Sequence, residues 1–128
     1  MKNVLFICVE NSCRSQMAEA FGNMYGMESI KPFSCGSQAS GDINPNAIES
    51  MKEIGYDLSV HRSKGYNEIP DMEYDLAVSV GCGDECPTIK AKKRQDWNIP
   101  DPKHMVKNEF AEVRDLICEK VKDLIKNI

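Results

Sequence analysis

Apolar residues along the chain follow two different spacings. Short apolar runs, bounded by polar residues or glycines, cover residues 2–7, 31–35 and 75–80, and a weaker run covers residues 94–98. Their length is typical of buried strands. Between these runs, apolar residues recur every three or four positions, which is the spacing of one helix face. This alternation predicts an α/β fold whose parallel strands are joined by right-handed helical crossovers.

Three helices are predicted from the second spacing. The first covers residues 15–27, with Gly26 as its stop. The second begins at Asn44 and Pro45, which suit an N-cap and a first helical turn, and it ends at Gly55. The third forms the C-terminal part of the chain. The residues expected on the buried faces of these helices are Met17, Ala20, Phe21, Met24, Ala47, Ile48, Met51, Ile54, Phe110, Val113, Ile117, Val121, Leu124 and Ile128.

The composition limits the functional classes. With 128 residues, the chain fits a single domain, residues 1–128, that is long enough to bury a core. Its 16 basic and 20 acidic residues give a net charge of -4, which does not favour nucleic acid or an anionic membrane surface as a partner. The first apolar run is too short for a signal peptide or a membrane span, which predicts a cytoplasmic protein. The six cysteines are therefore expected to be reduced, working thiols.

The segment from Cys8 to Ser15 carries the clearest chemistry. It leaves a predicted strand and enters a predicted helix, so backbone N–H groups and the helix dipole face one space and favour an anion there. Arg14 adds a planar charged group suited to tetrahedral oxyanions. The same field favours the thiolate form of Cys8, and Ser15 can both cap the helix and donate to that thiolate. The residues expected to form this oxyanion-binding loop are Val9, Glu10, Asn11, Ser12, Cys13, Arg14 and Ser15.

A second cysteine-containing loop follows the strand predicted at residues 75–80. It holds Cys82 and Cys86, with Gly81 and Gly83 around the first of them. Ligands of open α/β sheets bind at the carboxyl ends of the strands, so this loop and Cys8 are expected to share one crevice. The cysteine spacing also fits half of a zinc site, but no second cysteine or histidine pair follows, and no metal site is predicted. Inert buried thiols are the remaining alternative.

These motifs resemble the low-molecular-weight tyrosine phosphatase superfamily, and residues 8–19 look more like its thioredoxin-coupled arsenate reductase branch. The resemblance continues through residues 44–48, 51–55 and 97–102, so it spans nearly the whole chain. It implies a three-layer α/β/α sandwich around a four-stranded parallel sheet. Gln16 is part of the match to this branch, since phosphatases of this fold usually have proline at that position. One feature departs from the best-known members of the branch: only three residues separate Cys82 from Cys86, where a longer insertion is common.

The resemblance also implies a reaction. Cys8 attacks arsenate that is held by Arg14 and the loop amides, and Asp101 protonates the departing oxygen as a general acid. Cys82 then attacks Cys8 and releases arsenite, and Cys86 takes over the disulfide. The implied redox disulfides are a Cys8–Cys82 intermediate and a Cys82–Cys86 bond in the oxidised protein. Thioredoxin is the implied electron donor, no dissociable cofactor is required, and phosphate or sulfate is expected to fit the same loop.

Three further residues match positions that support this loop in some of the resembling reductases, namely Asn11, Glu19 and Ser34. In those proteins they contribute to a potassium site, and Lys64 replaces its last carboxylate here. We expect the Lys64 ammonium to pair with Glu19 in place of the cation and to make activity insensitive to potassium. Asn11 is expected to hold a strained turn through side-chain bonds to the backbone.

The other cysteines are interpreted structurally. Cys13 is expected to pack the loop, although a Cys8–Cys13 disulfide is an alternative. Cys35 and Cys118 lie at a strand end and beside the apolar face of the last helix, where they are expected to act as small apolar residues.

His61 and His104 are far apart in sequence and lack ligand partners, so both are expected at the surface. Trp97 either lines the crevice or fills the core beneath Asp101. Neither histidine is assigned a role as a base or as a metal ligand.

Two other functions remain open. An aryl-phosphate or protein tyrosine phosphatase would use Cys8 and Asp101 but leave Cys82 and Cys86 idle. A non-catalytic thiol redox or arsenic-binding module would make Arg14 purely structural. Reduction of arsenate to arsenite requires two electrons, which a pair of thiols provides, so the later cysteines favour the reductase.

Overall fold

The computed structural model describes residues 1–81 and 89–128. Four parallel strands form one sheet in the order β2-β1-β3-β4. The strands are β1 (Lys2–Cys8), β2 (Ile30–Gly36), β3 (Tyr74–Val80) and β4 (Ala91–Trp97). The predicted α/β class with a four-stranded parallel sheet is therefore confirmed.

Three α-helices follow the strands in the described parts of the chain. They are α1 (Arg14–Tyr25), α2 (Pro45–Lys52) and α3 (Lys107–Asn127). Two short 3-10 turns cover Leu58–Val60 and Tyr66–Glu68. None of the described helices combines the length and the apolar content that crossing a bilayer requires.

The sheet register brings the functional segments to one edge. In the ladder between β1 and β2, Cys8 lies opposite Gly36, and in the ladder between β1 and β3, Ile7 lies opposite Ser79. All four strands run in the same direction, so Cys8, Gly36 and Val80 end their strands at the same side of the sheet. Because β1 is central and buried on both faces, Cys8 is held at a rigid position.

Each face of the sheet carries its own apolar core. Residues such as Val4, Phe6 and Val78 point into the larger core, to which α1, α2 and α3 all contribute. Leu5, Ile7 and Ala77 point to the opposite face. In the described residues, that second face is covered by the segment that contains Ile69 and Met72 rather than by an α-helix. The alternation along β1 and β3 is the two-residue period of a strand.

The helix boundaries correct several predicted positions. Helix α1 begins at Arg14 and ends at Tyr25, with Gly26 as its C-cap. Helix α2 has the predicted Asn44 cap, whose side chain accepts from the amide of Asn46 at 2.8 Å, but it ends at Lys52. Ile54 and Ile128 therefore lie beyond their helices, and they are 37% and 41% exposed instead of buried.

The last strand also begins earlier than predicted. Strand β4 covers Ala91–Trp97 instead of residues 94–98. It lies at the edge of the sheet, and its residues from Lys92 to Asp96 are exposed. An edge strand with charged side chains has no apolar run to detect, and such charges protect an open edge against pairing with other chains.

Candidate active site

Cys8 ends β1 with its thiol buried at the start of the loop. The residue is 3% exposed, and its Sγ lies 2.8 Å from the hydroxyl oxygen of Ser15. The N-cap of α1 is Cys13, which makes no side-chain cap. The prediction that Ser15 caps the helix is wrong, because this residue lies one position inside the helix and its hydroxyl faces the nucleophile. Its predicted contact with Cys8 is present.

Asn11 shapes the loop between Cys8 and α1. Its backbone has a φ of +50°, in the left-handed region, and its side chain is fully buried. The amide nitrogen of the side chain donates to Ser15 Oγ at 2.7 Å. The amide oxygen accepts from the backbone N–H of Lys64 at 2.7 Å and from Gln16 Nε2 at 2.7 Å. The predicted turn held by side-chain bonds is present.

Gln16 connects this loop to a buried histidine. Its Nε2 also donates to the carbonyl oxygens of Asn11 and Arg62, at 3.1 and 2.9 Å. Carbonyl oxygens only accept hydrogen bonds, so the nitrogen of the Gln16 amide must face them and its Oε1 faces His61 Nδ1, 2.9 Å away. Because Oε1 is also only an acceptor, Nδ1 is the imidazole nitrogen that carries the proton. The Nε2 atom of His61 then accepts from the Tyr56 hydroxyl at 2.5 Å.

The surface position predicted for His61 is therefore wrong. Only 6% of its side chain is exposed, and burial lowers the pKa of its imidazole. The polar residues around position 61 did not indicate this burial. The sequence held one indication, namely Gln16 in place of the proline of related phosphatases. Its side-chain amide, fully buried in the structure, can form hydrogen bonds that proline cannot.

The expected partner of Glu19 is present. Glu19 Oε1 accepts from the Ser34 hydroxyl at 2.6 Å and lies 3.7 Å from the Lys64 ammonium. The ammonium also donates to the Arg62 carbonyl oxygen at 2.8 Å. Both charged side chains are more than four-fifths buried, with 16% of Glu19 and 17% of Lys64 exposed. A cation thus occupies the position beside Glu19 as part of the protein itself.

Arg14 is fixed by backbone groups from two other segments. Its Nη1 donates to the carbonyl oxygens of Gly81 and Ile99, at 3.2 and 3.0 Å. Gly81 has a φ of +94°, and a Cβ atom at this position would overlap the Arg14 guanidinium. Glycine is therefore required here both for the backbone conformation and for the close approach. This contact between Gly81, the residue after β3, and the loop of residues 8–15, here called the nucleophile loop, was not predicted.

The carboxyl group of Asp101 lies close to the Arg14 guanidinium. Its Oδ2 lies 3.8 Å from Arg14 Nη2, and its Oδ1 accepts from the backbone N–H of Lys103 at 3.1 Å. The side chain is 56% exposed, so it can exchange a proton with solvent. These residues border a cleft of about 270 Å³ that is lined by Cys8, Val9, Glu10, Ser12, Cys13, Arg14, Gln38, Asp101 and Lys103.

The other described cysteines are buried or half-buried. Burial raises the pKa of the thiols of Cys13 and Cys35 to about 12. Both thiols are thus protonated at neutral pH and are poor nucleophiles, as the packing interpretation requires. Cys118 is half-buried in α3. The predicted redox cysteines, Cys82 and Cys86, lie outside the described residues.

Trp97 belongs to the core rather than to the cleft. It is 8% exposed, and its ring centroid lies 5.8 Å from that of Phe6. Within residues 1–81 and 89–128, no group of three or more histidine, cysteine or acidic side chains is arranged to hold a metal ion. The described cleft is therefore a site for an anion next to a thiol, with a cationic guanidinium on one side and a carboxyl group opposite.

A family model and a curated relative both match the chain over nearly its full length. A family model described as low molecular weight phosphotyrosine protein phosphatase matches residues 3–128. A curated relative from Synechocystis sp., named glutaredoxin arsenate reductase, is 37% identical over 131 residues, which cover 100% of this chain and 99% of the relative.

Solved structures agree with this comparison. A structure described as an arsenate reductase in the phosphate binding state has a TM-score of 0.90 and 37% identity, and the match covers 100% of this chain and 99% of the other. A thioredoxin-dependent arsenate reductase from Corynebacterium glutamicum has a TM-score of 0.78 and 30% identity, over 99% of this chain and 61% of the other.

Proposed function

We propose that this chain, which belongs to the low molecular weight phosphotyrosine protein phosphatase family, is an arsenate reductase like the relatives that match its full length. The observation that carries the proposal is the pairing of Cys8 and Arg14 in one cleft, in a chain that matches arsenate reductases over its full length. Residues 1–128 act as one catalytic domain. The dependence on reduced thiols fits a cytoplasmic location.

The first step uses residues that line the described cleft. Arsenate binds against the loop amides and the Arg14 guanidinium, and the Cys8 thiolate attacks arsenic. An S–As bond forms while an As–O bond breaks, and Asp101 donates a proton so that the oxygen leaves as water. Ser15 supports this step through its contact with the sulfur, 2.8 Å away. General acid assistance of this kind contributes about 10²–10⁴-fold.

The second step reduces arsenic with two thiols. The Cys82 thiolate attacks the Cys8 sulfur, the electron pair of the S–As bond passes to arsenic, and arsenite leaves. This gives a Cys8–Cys82 disulfide, which Cys86 converts to Cys82–Cys86 by thiol exchange, and Cys8 is released as a thiolate. The roles of Cys82 and Cys86 rest on the family resemblance and on the need for two electrons. An external dithiol then restores both thiols.

Thioredoxin is the proposed electron donor. The Corynebacterium relative is described as thioredoxin-dependent, whereas the Synechocystis relative is named for glutaredoxin. Coupled assays with either donor separate the two. We expect faster arsenate-dependent turnover with thioredoxin and its reductase than with glutaredoxin and glutathione. The opposite order would change the donor and leave the reductase assignment intact.

A paired assay tests the reductase against the phosphatase of the same family. Arsenate-dependent oxidation of the reductant is measured beside hydrolysis of an aryl phosphate, for the wild type and for Cys8→Ser, Cys82→Ser and Cys86→Ser. Cys8→Ser should abolish both activities, whereas Cys82→Ser and Cys86→Ser should abolish arsenate turnover only. Cys118→Ser is the matched control, since its thiol lies on α3 away from the cleft. Full arsenate turnover by Cys82→Ser would refute the thiol relay.

A further inference from the structure

The two loops that border the cleft are joined across its mouth by an ion pair. Glu10 lies in the nucleophile loop, and Lys103 lies on the turn that precedes α3, 93 residues away in sequence. The Lys103 ammonium donates to Glu10 Oε1 at 3.0 Å. Their side chains are 45% and 38% exposed, respectively, and both line the cleft. This Glu10–Lys103 pair therefore lies at the boundary between the cleft and solvent.

The ion pair extends a series of contacts that runs from Arg14 through Asp101 and Lys103 to Glu10. The backbone N–H of Lys103 donates to Asp101 Oδ1 at 3.1 Å, and Asp101 Oδ2 lies 3.8 Å from Arg14 Nη2. Arg14 and Glu10 are four residues apart in the same loop. Lys103 thus contacts the carboxyl group of Asp101 through its backbone and the nucleophile loop through its side chain.

The backbone of Glu10, at one end of this series, is anchored. The backbone carbonyl oxygen of Glu10 accepts from the amide of Ser40 at 3.0 Å and from the Ser63 hydroxyl at 3.1 Å. The side chain of Glu10 therefore extends from an anchored backbone toward Lys103. The hydrogen bond to Glu10 raises the pKa of the Lys103 ammonium, which remains charged at all physiological pH values.

An exposed ion pair of this kind adds little to folding stability. Its main effect is on the binding of the anionic ligand. A lone carboxylate at the mouth would repel an incoming dianion, and the ammonium of Lys103 cancels that charge. The pair also occupies the entrance of a cleft of about 270 Å³. That volume is close to the lower end of the range of about 300–1,000 Å³ found for ligand pockets, so side chains at the opening affect the size of the group that can bind.

We propose that the Glu10–Lys103 pair determines anion specificity, because it favours the binding of small inorganic oxyanions over that of aryl-substituted ones, which bind more weakly. The identification of arsenate as the natural anion rests on the proposed function, but the selection among anions does not. Charge and access make separable contributions. Loss of the Lys103 charge leaves the repulsive carboxylate, whereas either substitution breaks the ion pair and frees both side chains to move away from the mouth.

Calorimetric titration of the reduced protein with inorganic phosphate and with phenylphosphonate measures both contributions. We expect Lys103→Met to weaken phosphate binding about fivefold to tenfold, and Glu10→Gln to leave it unchanged or to tighten it. The double variant should bind phosphate within twofold of the wild type. In all three variants, the ratio of the phenylphosphonate Kd to the phosphate Kd should fall at least fivefold. Lys92→Met is the matched control, because its 3.3 Å ion pair with Asp75 lies at the opposite edge of the sheet.

Two results would overturn the proposal. One is a ratio in the double variant that stays within twofold of the wild-type ratio. The other is equal weakening of phosphate binding by Glu10→Gln and Lys103→Met, because opposite charge changes must have opposite effects on a bound dianion. Neither titration requires turnover of arsenate. If the Kd ratios shift in a protein that does not reduce arsenate, the role of the ion pair in specificity is supported and the proposed reductase function is refuted. If the ratios do not shift in an active reductase, only the role of the ion pair is refuted.

Discussion

The side-chain amide of Asn11 donates to the hydroxyl of Ser15 at 2.7 Å, and this contact orients the hydroxyl proton. The orientation of the amide follows from Lys64, whose backbone N–H can only donate and lies against Asn11 Oδ1 at 2.7 Å. Asn11 Nδ2 must then face Ser15 Oγ, which accepts its hydrogen. The Ser15 proton is left to donate to Cys8 Sγ, 2.8 Å away. A hydrogen bond to the charged form of a group stabilises that form.

Ser15→Ala should therefore slow the reaction of Cys8. Hydrogen bonds to charged groups contribute about 1.5–3 kcal/mol, so we expect a fall of about 10- to 100-fold in the alkylation rate of Cys8 at pH 7. Peptide mapping by mass spectrometry after a short iodoacetamide pulse measures this rate at Cys8 specifically. Ser15→Thr keeps the hydroxyl and should restore most of it. Ser59→Ala is the control, because that hydroxyl bonds only Asp57 in the described structure; equal effects of the two alanine variants would contradict the assignment.

Gly81→Ala should displace Arg14 and weaken anion binding. The new methyl group would overlap the guanidinium, and the φ of +94° adds backbone strain of about 1–3 kcal/mol. We expect the Kd for phosphate, measured by calorimetry, to rise more than tenfold. Gly55→Ala isolates the strain, since Gly55 has a φ of +87° with nothing within 4 Å of the added atom. It should cost similar stability and leave phosphate binding unchanged; matching losses of binding in the two variants would show that strain alone acts.

The stability of the protein should fall below neutral pH partly because of His61. The pKa of its imidazole is lowered in the folded state, so the unfolded chain binds more protons between that value and about 6.5. The stabilisation is complete above the unfolded pKa and is lost as the pH falls through the window toward the folded pKa. Urea unfolding from pH 8 to pH 5 should therefore show a shallower decline for His61→Gln than for the wild type. His104→Gln, at an exposed position, should keep the wild-type slope, and a wild-type slope in His61→Gln would reject the assignment.

Lys64 should make the protein independent of potassium. Its ammonium lies 3.7 Å from Glu19 Oε1, where a bound cation would otherwise neutralise the carboxylate. We expect less than a twofold difference in wild-type arsenate turnover between potassium and sodium at equal ionic strength. Lys64→Gln should lose about 1–3 kcal/mol of stability, because Glu19 is left without its charged partner. The variant should also gain a response to potassium, and a several-fold potassium stimulation of the wild type would refute the idea.

The local elements of this fold could be predicted because their signals are local. The Asn44–Pro45 helix start, the apolar run of β1 and the Gly26 stop each depend on residues within one turn or one strand. The prediction failed where the environment of an element decides its pattern. Strand β4 carries no apolar run because it lies at the sheet edge, and Ile54 and Ile128 are exposed because their helices end before them.

By itself, the sequence determined the nucleophile loop, since Cys8, Arg14 and Ser15 lie within eight residues and a loop between strand and helix creates an anion site through its own backbone. Tertiary structure alone decided which distant groups complete it. Gln16 meets His61 across 45 residues, Arg14 meets Gly81 across 67, and Glu10 meets Lys103 across 93. Buried polar groups such as Arg14 and Gln16 must find partners, but the identity of each partner depends on which strand ends the parallel sheet places side by side, and no local spacing encodes that adjacency.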